Sequence, residues 1–215
     1  MEVAAVLVAA GSGERLGADR PKAFVVVAGR LMLEWSVAAI RAAGIEHIAV
    51  ALPEGESAPP GCAAVRGGAT RSESVRAALA RVSGAERVVV HDAARPLVEP
   101  DLFTRCLAAL SNADAAIAAA PVTDTVKETG ADRIVSATLD RSRLWAVQTP
   151  QAFRRTSLER ALECPEAVIR AATDDSMLIE RIGGVVRVVE SSPANFKVTT
   201  PHDLEVAELL LGRRP

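Results

Sequence analysis

Hydrophobic positions along this chain fall into two alternating patterns. Unbroken apolar runs at Val3–Ala10, His47–Leu52, Arg87–Val90 and Ala115–Ala120 have the length and small or β-branched content of strands buried on both faces. Between them apolar residues recur at helical spacing. Met32–Ala43 places Leu33, Val37 and Ile40 on one face and stops at Gly44. Val75, Leu79 and Val82 form a second stripe, entered through Gly67-Gly68, and Asp101–Leu110 carries Leu102, Phe103, Cys106 and Leu107 largely on one side. Ala23–Val27 and Cys62–Val65 are shorter strand-like pieces. Helices follow at Thr156–Glu163 and Asp174–Ile182, then a strand at Val185–Glu190. A closing helix at Thr200–Leu211 has Pro201 in its first turn. Strands alternating with helices predict an α/β fold, a mostly parallel sheet with helices on both faces.

The rhythm changes from Thr123 to Leu144. Two β-prone pieces, Thr125–Lys127 and Ile134–Leu139, flank a polar turn around Gly130, and Leu144–Thr149 returns to the sheet. This predicts a protruding β-hairpin arm, residues 123–144, inserted in a single domain spanning 1–215. Such an arm has little apolar cover of its own and packs well on a partner subunit.

Composition narrows the function classes. With 215 residues, 49% of them hydrophobic and 24% charged, the chain can bury an ample core. A net charge of −2 offers no broad basic field, and 3% aromatics with no Tyr offer no stacking platform, so nucleic acid is not an expected partner. Cys62, Cys106 and Cys164 are far apart and contain no C-x-x-C, which argues against a disulfide framework and a zinc site. The first apolar run is too short for a membrane span, and no basic leader precedes it, so a cytoplasmic location and no membrane partner are expected.

Candidate chemistry gathers after the first strand. Ala9-Ala10-Gly11-Ser12-Gly13 is a small-residue loop, followed by Arg15 and by Lys22 after Pro21. Backbone N–H groups of such a loop converge on a polyphosphate, and two cations at its rim neutralise charge that develops during phosphoryl transfer. The spacing G-x-G-x-x-x-G is neither the dinucleotide fingerprint nor a Walker A loop, and a structural turn is the alternative reading. A second glycine turn, Gly67-Gly68-Ala69-Thr70, enters a helix that contains Ser74, and by itself reads as an N-cap. His91-Asp92-Ala93-Ala94-Arg95-Pro96 stands where open α/β sheets place ligands, at the carboxyl end of a strand.

AAGSGERLGADRPKAF, GGATRSESV, HDAARP, TDTVK, LDRSRLWAVQTPQAF, TDDSMLIE and NFKVTTPHDL occur in the order and spacing of one family. From Val3 to about Leu211 the chain resembles the 2-C-methyl-D-erythritol 4-phosphate cytidylyltransferases of the non-mevalonate isoprenoid pathway. The resemblance implies a Rossmann-like nucleotidyltransferase sheet with a hairpin dimerisation arm. It also implies transfer of the cytidylyl group of CTP to methylerythritol phosphate, with Mg²⁺, by direct in-line attack on the α-phosphate. It assigns Arg15 and Lys22 to the triphosphate as catalytic cations that stabilise the pentavalent α-phosphate and the departing diphosphate. Ala9, Ala10, Gly11, Ser12, Gly13, Gly68, Ser74, Asp92 and Ala93 are assigned to the nucleotide. Arg95, Thr125, Arg141, Thr149 and Lys197 go to the second substrate, with Arg141 and Lys197 also catalytic and Gln151 shaping the site. Asp92 is the carboxylate placed nearest the metal, a turn or cap role being its alternative. Thr125 and Arg141 would reach a neighbouring subunit's site, which implies a homodimer with composite sites. An acidic residue common in the family is replaced here by Ala69. Asp174 and Asp175 are read as a helix start. Rival readings are a cytidylyltransferase for another polyol phosphate, such as ribitol 5-phosphate, and a catalytically silent nucleotide-binding regulator.

Overall fold

The computed structural model describes residues 2–213, apart from Ser12, Glu14, Arg15, Ala18 and Asp19. Its centre is a seven-stranded sheet of β1 (Val3–Val8), β4 (His47–Leu52), β5 (Ala63–Arg66), β6 (Arg87–Asp92), β7 (Ala115–Pro121), β10 (Trp145–Arg154) and β11 (Val186–Glu190). The order is β11-β7-β10-β6-β1-β4-β5. β10 runs antiparallel to both neighbours, and all other pairings are parallel. Two small pairs lie outside the sheet: β2 (Val26–Val27) with β3 (Arg30–Leu31), and β8 (Lys127–Thr129) with β9 (Val135–Thr138).

Residue alternation along each central strand feeds two apolar layers. Ala5 and Leu7 of β1, Ile48 and Val50 of β4, and Val89 of β6 face α1 (Met32–Ala42) and α3 (Pro100–Ala108). Ala4, Val6, Ala49, Val88 and Val90 face the other way, toward α2 (Arg71–Leu79), α4 (Arg155–Ala161) and α6 (Asp175–Arg181). A strand buried on both faces needs no polar positions, which is why these runs read as unbroken. A third cluster joins Leu16, Val27, Met32, Ala94, Leu97 and Val198 to Ala207 and Leu211 of α7 (Pro201–Leu211). It fastens the segment after β1 and the segment before α7 to one body.

The observed elements depart from the sequence expectation in a few places. The strand expected to end at Thr149 continues through the cis Thr149–Pro150 bond to Arg154, with an irregular register between Val147 and Gln151. A short helix α5 (Glu166–Ala171) starts after Pro165 and buries only Ile169. In the hairpin, β8 begins where the expected strand ended and is exposed throughout. No helix among the described residues is long and apolar enough to cross a membrane.

Candidate active site

The parallel strands β1, β4, β5 and β6 all end at the same edge, and short backbone bonds lock the segments beyond them together. Ala9 N–H donates to Ala51 O at 2.9 Å, Gly67 N–H to Leu52 O at 2.8 Å, and Ala93 N–H to Val8 O at 3.0 Å. A cleft of about 480 Å³ opens over this edge. Its walls include Ala9, Ala10, Gly11, Gly13, Lys22, Gly68, Ser74, Asp92, Ala93 and Lys197. Ten of the sequence-predicted site residues therefore converge on one cavity, although Gly11 and Lys197 are far apart in the chain.

Glycine is required where segments touch. Gly13 has φ +75°, and a Cβ there would stand 2.7 Å from Lys22 Cβ, so the glycine brings the start of the lysine side chain against the loop. A Cβ on Gly67 would come within 2.3 Å of Ala10 Cβ, which packs the second glycine turn against the first loop. Ser74 closes that turn: its hydroxyl accepts from Gly68 N–H at 3.0 Å and donates to Thr70 O at 2.9 Å. The Thr70 side chain in turn caps α2, in a capping box with Glu73. The N-cap reading and the site reading thus describe the same residues. Arg15 and Ser12 lie outside the described residues.

Asp92 is the electrostatic centre. Its Oδ1 accepts from Arg71 Nε at 2.9 Å and its Oδ2 from Lys197 Nζ at 2.8 Å. Burial alone would raise its pKa. The charges of Arg71 and then Lys197 outweigh that and hold the carboxyl far below the usual carboxylate range. Asp92 is therefore an anion throughout the working pH range and not a proton acceptor. Arg71 was not singled out from sequence. It sits at the first position of α2, lines the cleft, and also donates to Asp175 at the start of α6. Asp174 caps α6 as expected, accepting from Met177 N–H, and also accepts from Gln151 Nε2 at 2.9 Å. Asp175 is more than a helix start: it is fully buried and takes Ser72 Oγ on its other oxygen at 2.8 Å.

Behind Asp92 lies a buried polar seam. Thr149 Oγ1 accepts the Asp92 N–H at 3.1 Å and lies 2.9 Å from His91 Nδ1. Burial, against the opposing charge of Asp92, pushes His91 down to about 3, so the ring that shares a hydrogen bond with the Thr149 hydroxyl is neutral. Asn195 bridges Gln148 Oε1 and Thr149 O at 2.9 Å each, and Arg95 donates to Asn195 O at 2.7 Å. Thr149 and Arg95 are thus not among the described cleft-lining residues. They brace the floor. Thr125 and Arg141 are exposed on the hairpin side, also away from the cleft wall, where Arg141 bonds Thr123 O.

Among the described residues no group of three or more His, Cys, Asp or Glu could hold a metal. Asp92 is the one carboxylate among the described cleft-lining residues. That donor set fits a Mg²⁺ held chiefly by nucleotide phosphates and water, with Asp92 at most one contributor.

Relatives agree with the geometry. A family model described as 2-C-methyl-D-erythritol 4-phosphate cytidylyltransferase matches residues 3–213. A protein of that name from Deinococcus radiodurans is 48% identical over 212 residues, covering 97% of this chain and 89% of the relative. One from Parasynechococcus marenigrum is 44% identical over 220 residues, covering 97% of each. The crystal structure of 2-C-methyl-D-erythritol 4-phosphate cytidylyltransferase from Thermus thermophilus superposes with a TM-score of 0.83 at 38% identity, covering 98% of each chain. Sheet order, cleft and motif positions thus come together with a full-length match, and the chain belongs to the 2-C-methyl-D-erythritol 4-phosphate cytidylyltransferase family.

Proposed function

We propose that this chain transfers the cytidylyl group of CTP to 2-C-methyl-D-erythritol 4-phosphate, releasing diphosphate, in isoprenoid precursor synthesis. The observation that carries the reading is the cleft itself, where two glycine turns, Lys22 and the Asp92–Lys197 pair share one cavity at the strand ends. The first loop suits the triphosphate through its backbone N–H groups. Lys22, with Arg15 on the same segment, neutralises the charge of the pentavalent α-phosphorus and of the departing diphosphate. Gly68 and the turn that Ser74 holds form the cytosine end, and Asp92 with Ala93 the ribose end. Mg²⁺ bound to the phosphates would screen their charge.

The nucleophile is a phosphate oxygen of the second substrate, which is already ionised near neutral pH. The protein then has to align attacking oxygen, α-phosphorus and leaving group, and needs no general base. A depressed Asp92 and a buried neutral His91 are consistent with that division of labour. Lys197 directs a cation into the cleft for the incoming phosphate.

Arg141 and Thr125 complete the site from a second subunit in this reading. Ile134, Val135, Leu139, Trp145 and Val147 leave apolar surface exposed on and beside the hairpin, which a homodimer would cover. Diphosphate release with CTP and methylerythritol phosphate, set against ribitol 5-phosphate and the other nucleoside triphosphates, tests the reaction. Mixing two inactive variants, Arg141→Ala and Lys197→Ala, tests the composite site. Random exchange between dimers leaves one intact site in each hybrid, so about one quarter of wild-type activity should return. No recovery from exchanged hybrids would remove the shared site.

A further inference from the structure

The hold on Asp92 is asymmetric. Both partners line the cleft, but 43% of the Lys197 side chain is exposed and only 20% of the Arg71 side chain. Arg71 stands at the first position of a helix, where the positive end of the dipole disfavours a cation. Two carboxylates keep it there, Asp92 on the cleft side and the fully buried Asp175 on the other. Ser72, the next residue of the same helix, grips the second oxygen of Asp175. A strut that merely joined α2 to α6 would need only Arg71 and Asp175. The further bond, from Arg71 Nε to the carboxylate that also carries Lys197, connects that strut to the cleft.

The charges show what the connection does. Arg71 and Lys197 share Asp92, so Lys197 is held in place by a carboxylate whose charge is partly spent elsewhere. Its ammonium keeps a positive field toward an anionic substrate. With Arg71 gone, Asp92 would turn its whole charge on Lys197 and hold the ammonium more tightly against itself, away from an incoming phosphate. We propose that Arg71, clamped by Asp175, is a positioning residue that sets the Asp92 carboxylate and through it aims the Lys197 ammonium at the substrate phosphate. This rests on the cytidylyltransferase reading only where turnover is the readout.

Two measurements on the full-length protein decide it. The first needs no turnover: the rate at which acetic anhydride acylates Lys197, followed by peptide mass spectrometry. Arg71→Met should slow it at least threefold, and Asp92→Asn should not. An unchanged rate in folded Arg71→Met would overturn the proposal, whatever the wild-type protein catalyses. The second is a double-mutant cycle on kcat with Lys197→Met. Arg71→Met alone should cost at least thirtyfold, yet add less than threefold in the Lys197→Met background, because its effect runs through that lysine. A purely structural role would give additive losses, which would equally overturn it. Arg71→Lys, which keeps the charge but not the two-sided grip, should recover part of kcat. If Arg71→Met does not fold, Arg71→Gln, which removes the charge but keeps a polar side chain, takes its place in both measurements, with the same signs. Absence of wild-type turnover would remove the functional reading, and the acylation rates would still judge the clamp.

Discussion

Replacing Thr149 by valine tests whether this residue touches substrate or braces the floor of the site. The side chain is 3% exposed, and its hydroxyl is committed on both sides, to the Asp92 N–H at 3.1 Å and to His91 Nδ1 at 2.9 Å. Valine fills the same volume but leaves both groups buried without that partner. At about 1–3 kcal/mol for each stranded group, the loss should be about 2–6 kcal/mol. Thr149→Ser keeps the hydroxyl and removes one methyl group, a loss of about 1 kcal/mol. Urea unfolding of the three proteins at pH 7 gives the comparison, with the slopes checked for equality so that midpoints convert to free energies. Valine should be the less stable variant by at least 1 kcal/mol. Equal stability of the two variants, together with a raised KM for the second substrate in Thr149→Val alone, would refute the bracing role. It would restore the substrate contact that the sequence resemblance implied.

Other consequences follow from the same geometry. Because the folded-state pKa of Asp92 is depressed, its contribution to stability is fully present above the unfolded value near 4 and is lost as pH falls below that. Unfolding free energies at pH 5, 4 and 3 should therefore drop more steeply for the wild type than for Asp92→Asn, and parallel slopes would contradict the pairing. Lys197→Met should lower kcat/KM by about 10²–10³, the usual loss for one charge-stabilising donor, with CTP affinity in the absence of the second substrate changed far less. A variant within threefold of wild type would remove Lys197 from the reaction. Gly67→Ala places a Cβ 2.3 Å from Ala10 Cβ, and neither atom can swing aside as a side-chain end could. The overpacking cost of about 1–3 kcal/mol should appear as weaker CTP binding or lower stability, and calorimetry showing neither would mean the two loops are not locked together.

The legible parts of this molecule were those whose signal is local. β1, β4, β6 and β7 announce themselves because both faces are buried, so their central positions are apolar without a break. The two glycine turns are visible because close approach leaves no room for a Cβ. β10 was cut short at Thr149 because a proline inside a strand argues against continuation. Here the strand carries it at an irregularity in the register with β7 and resumes at Gln151. The first hairpin strand lies two residues beyond its expected place because every position on it is exposed, which leaves no burial pattern to fix its bounds, while β9 falls within the expected Ile134–Leu139. Arg71 was missed for another reason. An arginine at a helix start offers no local mark, and its two carboxylate partners lie 21 and 104 residues away.

That miss bears on how the site works. Every described charged group around Asp92 is engaged with another part of the fold: Arg71 with Asp175, Arg95 with Asn195 O, Lys197 with Asp92 itself. These bonds hold the charges in place before a substrate arrives. In a reaction whose nucleophile arrives ionised, proton transfer would add nothing, and a loose set of charges would cost reorganisation at the moment of transfer. The sheet edge supplies rigidity through backbone bonds between strands, and the polar seam of Thr149, His91 and Asn195 extends it one layer beyond the strand ends. Preorganisation here is thus built in the same way as the core, by satisfying buried groups from several elements at once.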